Sequence, residues 1–262
     1  MSLYIIYCFI ILIIILLVLK RFTLWPFHKN VRVLMYHHIK PKSDNDIVVT
    51  IEQFEKQIQL IIEKGYHFIS CNELIQYIYN DKDLPSNPIL LTFDDAYIDF
   101  EIYALPILTK YQAKAIVFVP SKYIGGENEW DKNGEKIMSV ESLKKLPVNI
   151  EIGLHSHAHL NFKTKNINEI KNDLQLSIET LVNHQILYIK ALAYPYGAYP
   201  KTSKLKKQIE ELLIENKIQI SFRIGNRINN LFMFNPFFIQ RIDVKGQFNL
   251  KQFASKLRYS KL

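Results

Sequence analysis

The feature that most restricts what this chain can fold into is a series of short apolar runs that stop abruptly at polar residues. "VRVLMYHHI" (31–39), "PILLTF" (88–93), "AIVFVP" (115–120), "VNIEIGL" (148–154), "IKALA" (189–193) and "IQISF" (218–222) all read as strands buried on both faces. Amphipathic helices lie between them. Ile51, Phe54, Ile58 and Ile62 recur at helical spacing after a capping pair, Thr50 and Gln53, and Gly65 ends that helix. Ser70 and Glu73 repeat the capping logic, and further helices are expected over 100–110, 167–183 and 203–216. Parallel strands need such crossovers, so the chain is α/β, either a barrel or an open sheet. In both, chemistry gathers at the C-terminal ends of the strands.

Four polar clusters fall at those ends: His37/His38, Asp94/Asp95, the "HSHAH" of 155–159, and Tyr194–Tyr199. His155 and His159, four residues apart across a turn, can converge on one ion, and one carboxylate completes a His₂Asp set. Such a set leaves coordination positions open, as catalytic rather than structural sites do. The second carboxylate is then placed to take a proton from water held by the ion. His37 and His38, at the end of the first strand, are the natural suppliers of an acid for the leaving group, because the C-terminal third offers no histidine. The "YPYG" turn at 194–197 can present a backbone N–H to a developing oxyanion. Tyr97, Tyr194, Pro195 and Gly197 are candidate walls of the pocket, and Arg241 and Asp243 are weaker candidates from a late strand.

These residues resemble the polysaccharide deacetylase family, the NodB-homology or carbohydrate esterase 4 group. "TFDDAY" (92–97) is similar to its first motif and "HSHAH" to its second; "YPYG" resembles the third, with Ala193 where the usual arginine stands. The resemblance covers roughly 31–245. It implies a distorted (β/α) barrel and metal-dependent removal of acetyl groups from sugars. By that likeness Asp94 is the general base, and Asp95, His155 and His159 hold a divalent metal, zinc or a similar transition ion. The Tyr196 backbone N–H serves the oxyanion. The "LMYHHI" opening is similar to a permuted subgroup that includes deacetylases of poly-N-acetylglucosamine, which points to His37 as general acid, with His38 second because strand alternation sends the two side chains opposite ways. The expected substrate is an N-acetylated cell-surface or lipid-linked glycan. A carbohydrate O-acetyl esterase and an inactive glycan-binding homologue are the alternatives.

The chain's first residues carry a separate signal. Leu3–Leu19 hold no charge, and at about 1.5 Å per residue they span roughly 26 Å as a helix, within reach of a membrane core. No small-residue cleavage site follows, so the run reads as an uncleaved single-pass anchor in a bacterial-type cytoplasmic membrane. The expected organisation is an anchor (1–20), a basic juxtamembrane segment (21–30) and a catalytic domain (31–262). Lysines and arginines after the run favour a cytoplasmic domain, whereas the family's habit favours the outside. The net charge of +8 suits anionic headgroups or glycans, and no zinc finger or basic recognition helix points to nucleic acid. Cys8 and Cys71, one in the run and one in the domain, allow no disulfide within the domain.

Overall fold

The computed structural model describes residues 30–43, 45–131, 134–232 and 234–260, together with Tyr7, Ile11 and Ile13, which are helical. Apart from those three residues and Asn30, the expected anchor (1–20) and juxtamembrane segment (21–30) lie outside the described residues. Among the described residues no helix is long and apolar enough to cross a membrane.

The strands are β1 (Asn30–Tyr36), β2 (His38–Lys40), β3 (Val48–Thr50), β4 (His67–Phe68), β5 (Pro88–Phe93), β6 (Ala115–Val119), β7 (Ile150–Leu154), β8 (Ala191–Ala193), β9 (Ile220–Ile224), β10 (Asn229–Asn230) and β11 (Ile239–Asp243). Seven of them run parallel in the order β1, β11, β9, β8, β7, β6, β5, and β5 pairs with β1 to close a barrel. The helices are α1 (Ile51–Glu63), α2 (Cys71–Asn80), α3 (Leu105–Lys110), α4 (Val140–Lys144), α5 (Ile167–Asn183), α6 (Ser203–Glu215) and α7 (Leu250–Tyr259). Of the two architectures the apolar runs allowed, a barrel or an open sheet, the chain adopts the (β/α) barrel that the resemblance implied.

Burial on both faces explains why those runs are uninterrupted. Val33, Leu90, Ile116, Phe118, Ala193, Phe222 and Ile239 pack together inside the barrel. Their strand neighbours Leu34, Leu91, Val117, Ile152 and Leu192 belong to the outer core under the helices. The interior is narrow: a Cβ on Gly153 would meet the Phe118 ring at 2.6 Å. Helix α2 closes the end where the strands begin. Its first N–H groups, from Cys71 and Asn72, donate to the Glu151 carboxylate at 2.6 and 3.1 Å, as a carboxylate at a helix N-terminus should. The other end stays open and carries the polar clusters.

Two local features depart from expectation. The first run is broken: β1 stops at Tyr36, His37 lies between strands, and β2 turns off to pair with β3. The β1–β5 ladder holds up to the break, with the Tyr36 carbonyl accepting from the Asp94 N–H at 2.9 Å. The helix expected over 100–110 opens as a wide π turn, Phe100–Ala104, with the Leu105 N–H bonded to the Phe100 carbonyl. Pro106 follows, and its missing N–H and bulky ring oppose a regular turn there. The polar stretch after Gly125 doubles back, with Glu127 opposite Lys136 and Tyr97 bridged to Ile137.

Candidate metal centre and active site

Strand β5 delivers the paired carboxylates to the open mouth. Asp95 and Ala96 both adopt left-handed backbone angles, φ 71° and 52°. Such angles are costly for residues with a Cβ and recur at functional sites. The turn separates the two acids. Asp94 accepts two hydrogen bonds from Arg241 on β11, Nη1 to Oδ1 at 2.5 Å and Nη2 to Oδ2 at 2.7 Å. Arg241 is wholly buried and also donates to Thr92 Oγ1 at 3.2 Å. Burial alone would push the Asp94 carboxyl up, but the Arg241 guanidinium, with His155 and His37 beside it, outweighs that and holds it below the usual carboxylate range.

Asp95 faces the histidines instead. Its Oδ1 lies 3.3 Å from His155 Nε2 and 3.2 Å from His159 Nε2. Burial opposes ionisation here too, yet the two imidazoles hold the carboxyl well below its ordinary value. His155 is pushed down by burial and up by Asp94 and Asp95, with a net rise. Its Nδ1 donates to the Ala193 carbonyl at 2.8 Å, which leaves Nε2 for a ligand.

Asp95, His155 and His159 each offer one ligand atom within 4.8 Å of the others. Asp95 Oδ1 and His155 Nε2 are buried without a hydrogen-bond partner. Two orphaned acceptors of this kind would be costly unless something cationic joined them. One carboxylate and two imidazoles suit a divalent transition ion, so the donor set fits the expected metal. The loop that presents the histidines is tied down by Asp173 on α5, which accepts from the His157 and Ala158 N–H groups at 2.9 and 2.8 Å. His157 points elsewhere, to Ser121 Oγ at 2.9 Å.

The two early histidines diverge. His37 Nε2 lies 3.9 Å from Asp94 Oδ2, and burial lowers its pKa against the pull of Asp94 and Asp95. His38 is buried, hydrogen-bonded through Nδ1 to Asp99 Oδ2 at 2.6 Å and stacked on Tyr97 at 3.7 Å.

The "YPYG" turn completes the mouth. Its hydrogen bonds run from the Gly197 N–H to Tyr194 O and from the Ala198 N–H to Pro195 O, and neither uses the Tyr196 N–H. Tyr196 has φ 59°, and its ring, 54% exposed, lies 4.6 Å from that of His159. Gly197 is obligatory, because φ is +58° and a Cβ would meet Ile224 at 2.2 Å.

Several expected wall residues are not open to a substrate. Tyr194 is buried, its phenol donating to the Phe237 carbonyl at 3.1 Å; Pro195 is buried beside it. Tyr97 is 1% exposed. Asp243 pairs with Lys256 at 3.3 Å rather than with the carboxylates of the mouth. Arg241, in contrast, supplies the guanidinium missing beside "YPYG". Residues not foreseen are Thr92, Asp99, Trp130 and Asp173. Asp99 stands within the same acidic stretch as Asp94, but only the fold reveals its partner.

The sequence matches the polysaccharide deacetylase family profile over residues 81–212. It is 30% identical over 193 residues to a poly-β-1,6-N-acetyl-D-glucosamine N-deacetylase of Staphylococcus epidermidis, covering 63% of this chain and 64% of that protein. The chain spans 57% to 64% of the length of the curated relatives it matches first. Among solved structures, IcaB from Ammonifex degensii superposes with a TM-score of 0.73 at 21% identity, over 89% of this chain and 98% of that one. The Streptococcus pyogenes deacetylase PplD in complex with acetate gives 0.72 at 22% identity, over 87% and 98%. At such identities these two establish the shared fold.

Proposed function

Because the chain belongs to the polysaccharide deacetylase family, we propose that it hydrolyses N-acetyl groups on a β-linked N-acetylglucosamine polymer, releasing acetate and leaving a free amine. The observation that carries this reading is the convergence of Asp95, His155 and His159 beside a second carboxylate, Asp94, that is separately held by Arg241. The named activity of the Staphylococcus epidermidis relative supports the polymer as substrate.

A divalent cation held by Asp95, His155 and His159, with zinc the first choice, would supply Lewis acidity for the attacking water and the amide carbonyl. Asp94 accepts the proton of that water. Its fork to Arg241 keeps it ionised and aimed. His37, 3.9 Å from Asp94, gives a proton to the departing nitrogen, so one water is consumed for each acetate and amine formed. The Tyr196 N–H, unused within its own turn, donates to the oxyanion that develops at the carbonyl. The exposed Tyr196 ring offers a face for the sugar.

Residues 1–20 enter the same proposal as a single-pass membrane anchor, followed by a basic segment (21–30) and the catalytic domain (31–262). Protease accessibility in intact cells tests which side the domain occupies. The activity is tested by acetate release from poly-β-1,6-N-acetylglucosamine, chitooligosaccharides, peptidoglycan fragments, lipid-linked sugars and an O-acetylated glycan. The polymer should be the best substrate. Release only from O-acetylated sugars, or from none of the panel, would overturn the reading.

A further inference from the structure

His155 and His159 are oriented by different means. His155 donates its second ring nitrogen to the Ala193 carbonyl, the usual way a metal-ligating imidazole is held. His159 Nδ1 is buried and has no hydrogen-bond partner. Apart from Asp95 Oδ1, 3.2 Å from Nε2, nothing polar fixes the plane of the second ring.

Three rings surround it: Tyr196 at 4.6 Å and His155 at 5.0 Å are both tilted to it, and only Trp130 is stacked on its face. The Trp130 ring stacks on His159 with centroids 4.0 Å apart and planes 26° apart. Trp130 is in turn fixed by its own surroundings. Its indole N–H donates to the Tyr97 hydroxyl at 3.0 Å, Tyr123 meets it edge-on at 5.1 Å, and the Tyr97 hydroxyl donates to Asp131 at 3.1 Å. Asn128 donates to both that hydroxyl and Asp131. The segment that doubles back after Gly125 thus builds a socket whose only described contact with the metal ligands is the indole face.

We propose that Trp130 is a positioning residue for the metal centre, its indole holding the His159 imidazole in its ligating plane in place of the hydrogen bond that the ring lacks. Stacking also keeps water from the unpaired Nδ1. This inference rests on the reading of Asp95, His155 and His159 as metal ligands. A loss of ligand support of this kind lowers metal affinity by roughly 10- to 100-fold. Tyr97, which is buried beneath His38, acts one step further back by locating the indole.

The test is zinc affinity of the full chain, measured by competition with a chromophoric chelator, for wild type, Trp130→Phe and Trp130→Ala. Trp130→Ala should weaken zinc by about tenfold or more, and Trp130→Phe, which keeps an aromatic face, should stay within about threefold. Thermal unfolding with and without zinc separates this from general damage, because the zinc-induced rise, taken from each variant's own metal-free midpoint, should shrink in Trp130→Ala however far that midpoint falls. Equal zinc affinity in Trp130→Ala and wild type would overturn the role of Trp130, as would equal loss in Trp130→Phe and Trp130→Ala. A wild-type chain that binds no zinc would instead overturn the metal reading itself. An independent signature is available, since the chain has two tryptophans, Trp25 and Trp130. In a Trp25→Phe background, cobalt should quench the remaining emission on binding. Unquenched emission at saturating cobalt would also count against the stack.

Discussion

Asp94 and Asp95 are covalent neighbours with opposite surroundings, and the difference lies in what each can donate or accept. Asp94 is bound by a planar fork of two N–H groups, whereas Asp95 keeps Oδ1 free for imidazole nitrogens and a cation. Arg241→Lys tests the fork. It retains the charge but cannot make both bonds. We expect kcat/KM to fall by roughly 10- to 100-fold, equivalent to about 1.4 to 2.8 kcal/mol, with metal content unchanged. The folded pKa of Asp94 lies below its unfolded value, so the pair's stabilisation is complete above that unfolded value and fades as pH falls through the lowered one. Arg241→Ala, which leaves a buried carboxylate without its partner, should cost about 3 to 5 kcal/mol in thermal or chemical unfolding above pH 5. A cost below 1 kcal/mol would mean that the pair is dispensable. Sequence spacing showed that two carboxylates and two histidines would meet. It did not show that Arg241 would, because β11 reaches β5 only across β1, through barrel closure. His37 and His38 were inseparable by the same limit: alternation puts them on opposite sides, and only the Asp99 contact says which one is buried away from Asp94.

At the level of elements, the turn after β8 has the narrowest tolerance. Gly197 combines a left-handed backbone with no room for a Cβ, since Ile224 on β9 occupies that space. Gly197→Ala should destabilise the fold by about 1 to 3 kcal/mol and reduce turnover further than stability alone explains, because it displaces the turn carrying the Tyr196 N–H. Adding Ile224→Ala removes the Cγ1 and Cδ1 contacts but leaves its Cβ at 2.6 Å and the strained φ, so the double variant should recover stability only in part. Full recovery of both stability and kcat would show that the backbone angle is unimportant. The helices were the most legible elements. The capping pair at Thr50 and Gln53 and that at Ser70 and Glu73 both occur, as does the helix expected at 167–183. The π turn was hidden because hydrophobic spacing over five residues cannot distinguish it from an α turn. The Trp130 socket was hidden because its polar residues acquire meaning only against Tyr97. Tyr194, read as a wall of the pocket, is apolar filling with its hydroxyl satisfied inside.

For the whole molecule, seven parallel strands bring groups from five separate stretches of chain to one mouth: His37, the Asp94–Asp95 pair, His155 with His159, Tyr196 and Arg241. A metal held by Asp95, His155 and His159 would then couple folding to pH. Burial lowers and the aspartates raise the affinity of His155 for protons, and the net rise above 6.5 means that protons compete for this ligand already at higher pH. Metal affinity should therefore begin to fall while pH is still above 6.5 and continue falling toward pH 5, with the metal-induced rise in unfolding temperature shrinking in parallel. An affinity unchanged between pH 8 and pH 6 would contradict that assignment. The most direct measurement of the central claim pairs metal content with acetate release from N-acetylglucosamine oligomers in Asp94→Asn and Asp95→Asn. Divided labour predicts that Asp94→Asn keeps metal near the wild-type level and loses turnover, while Asp95→Asn loses both. Turnover that survives in Asp94→Asn, or metal retained in full by Asp95→Asn, would contradict it.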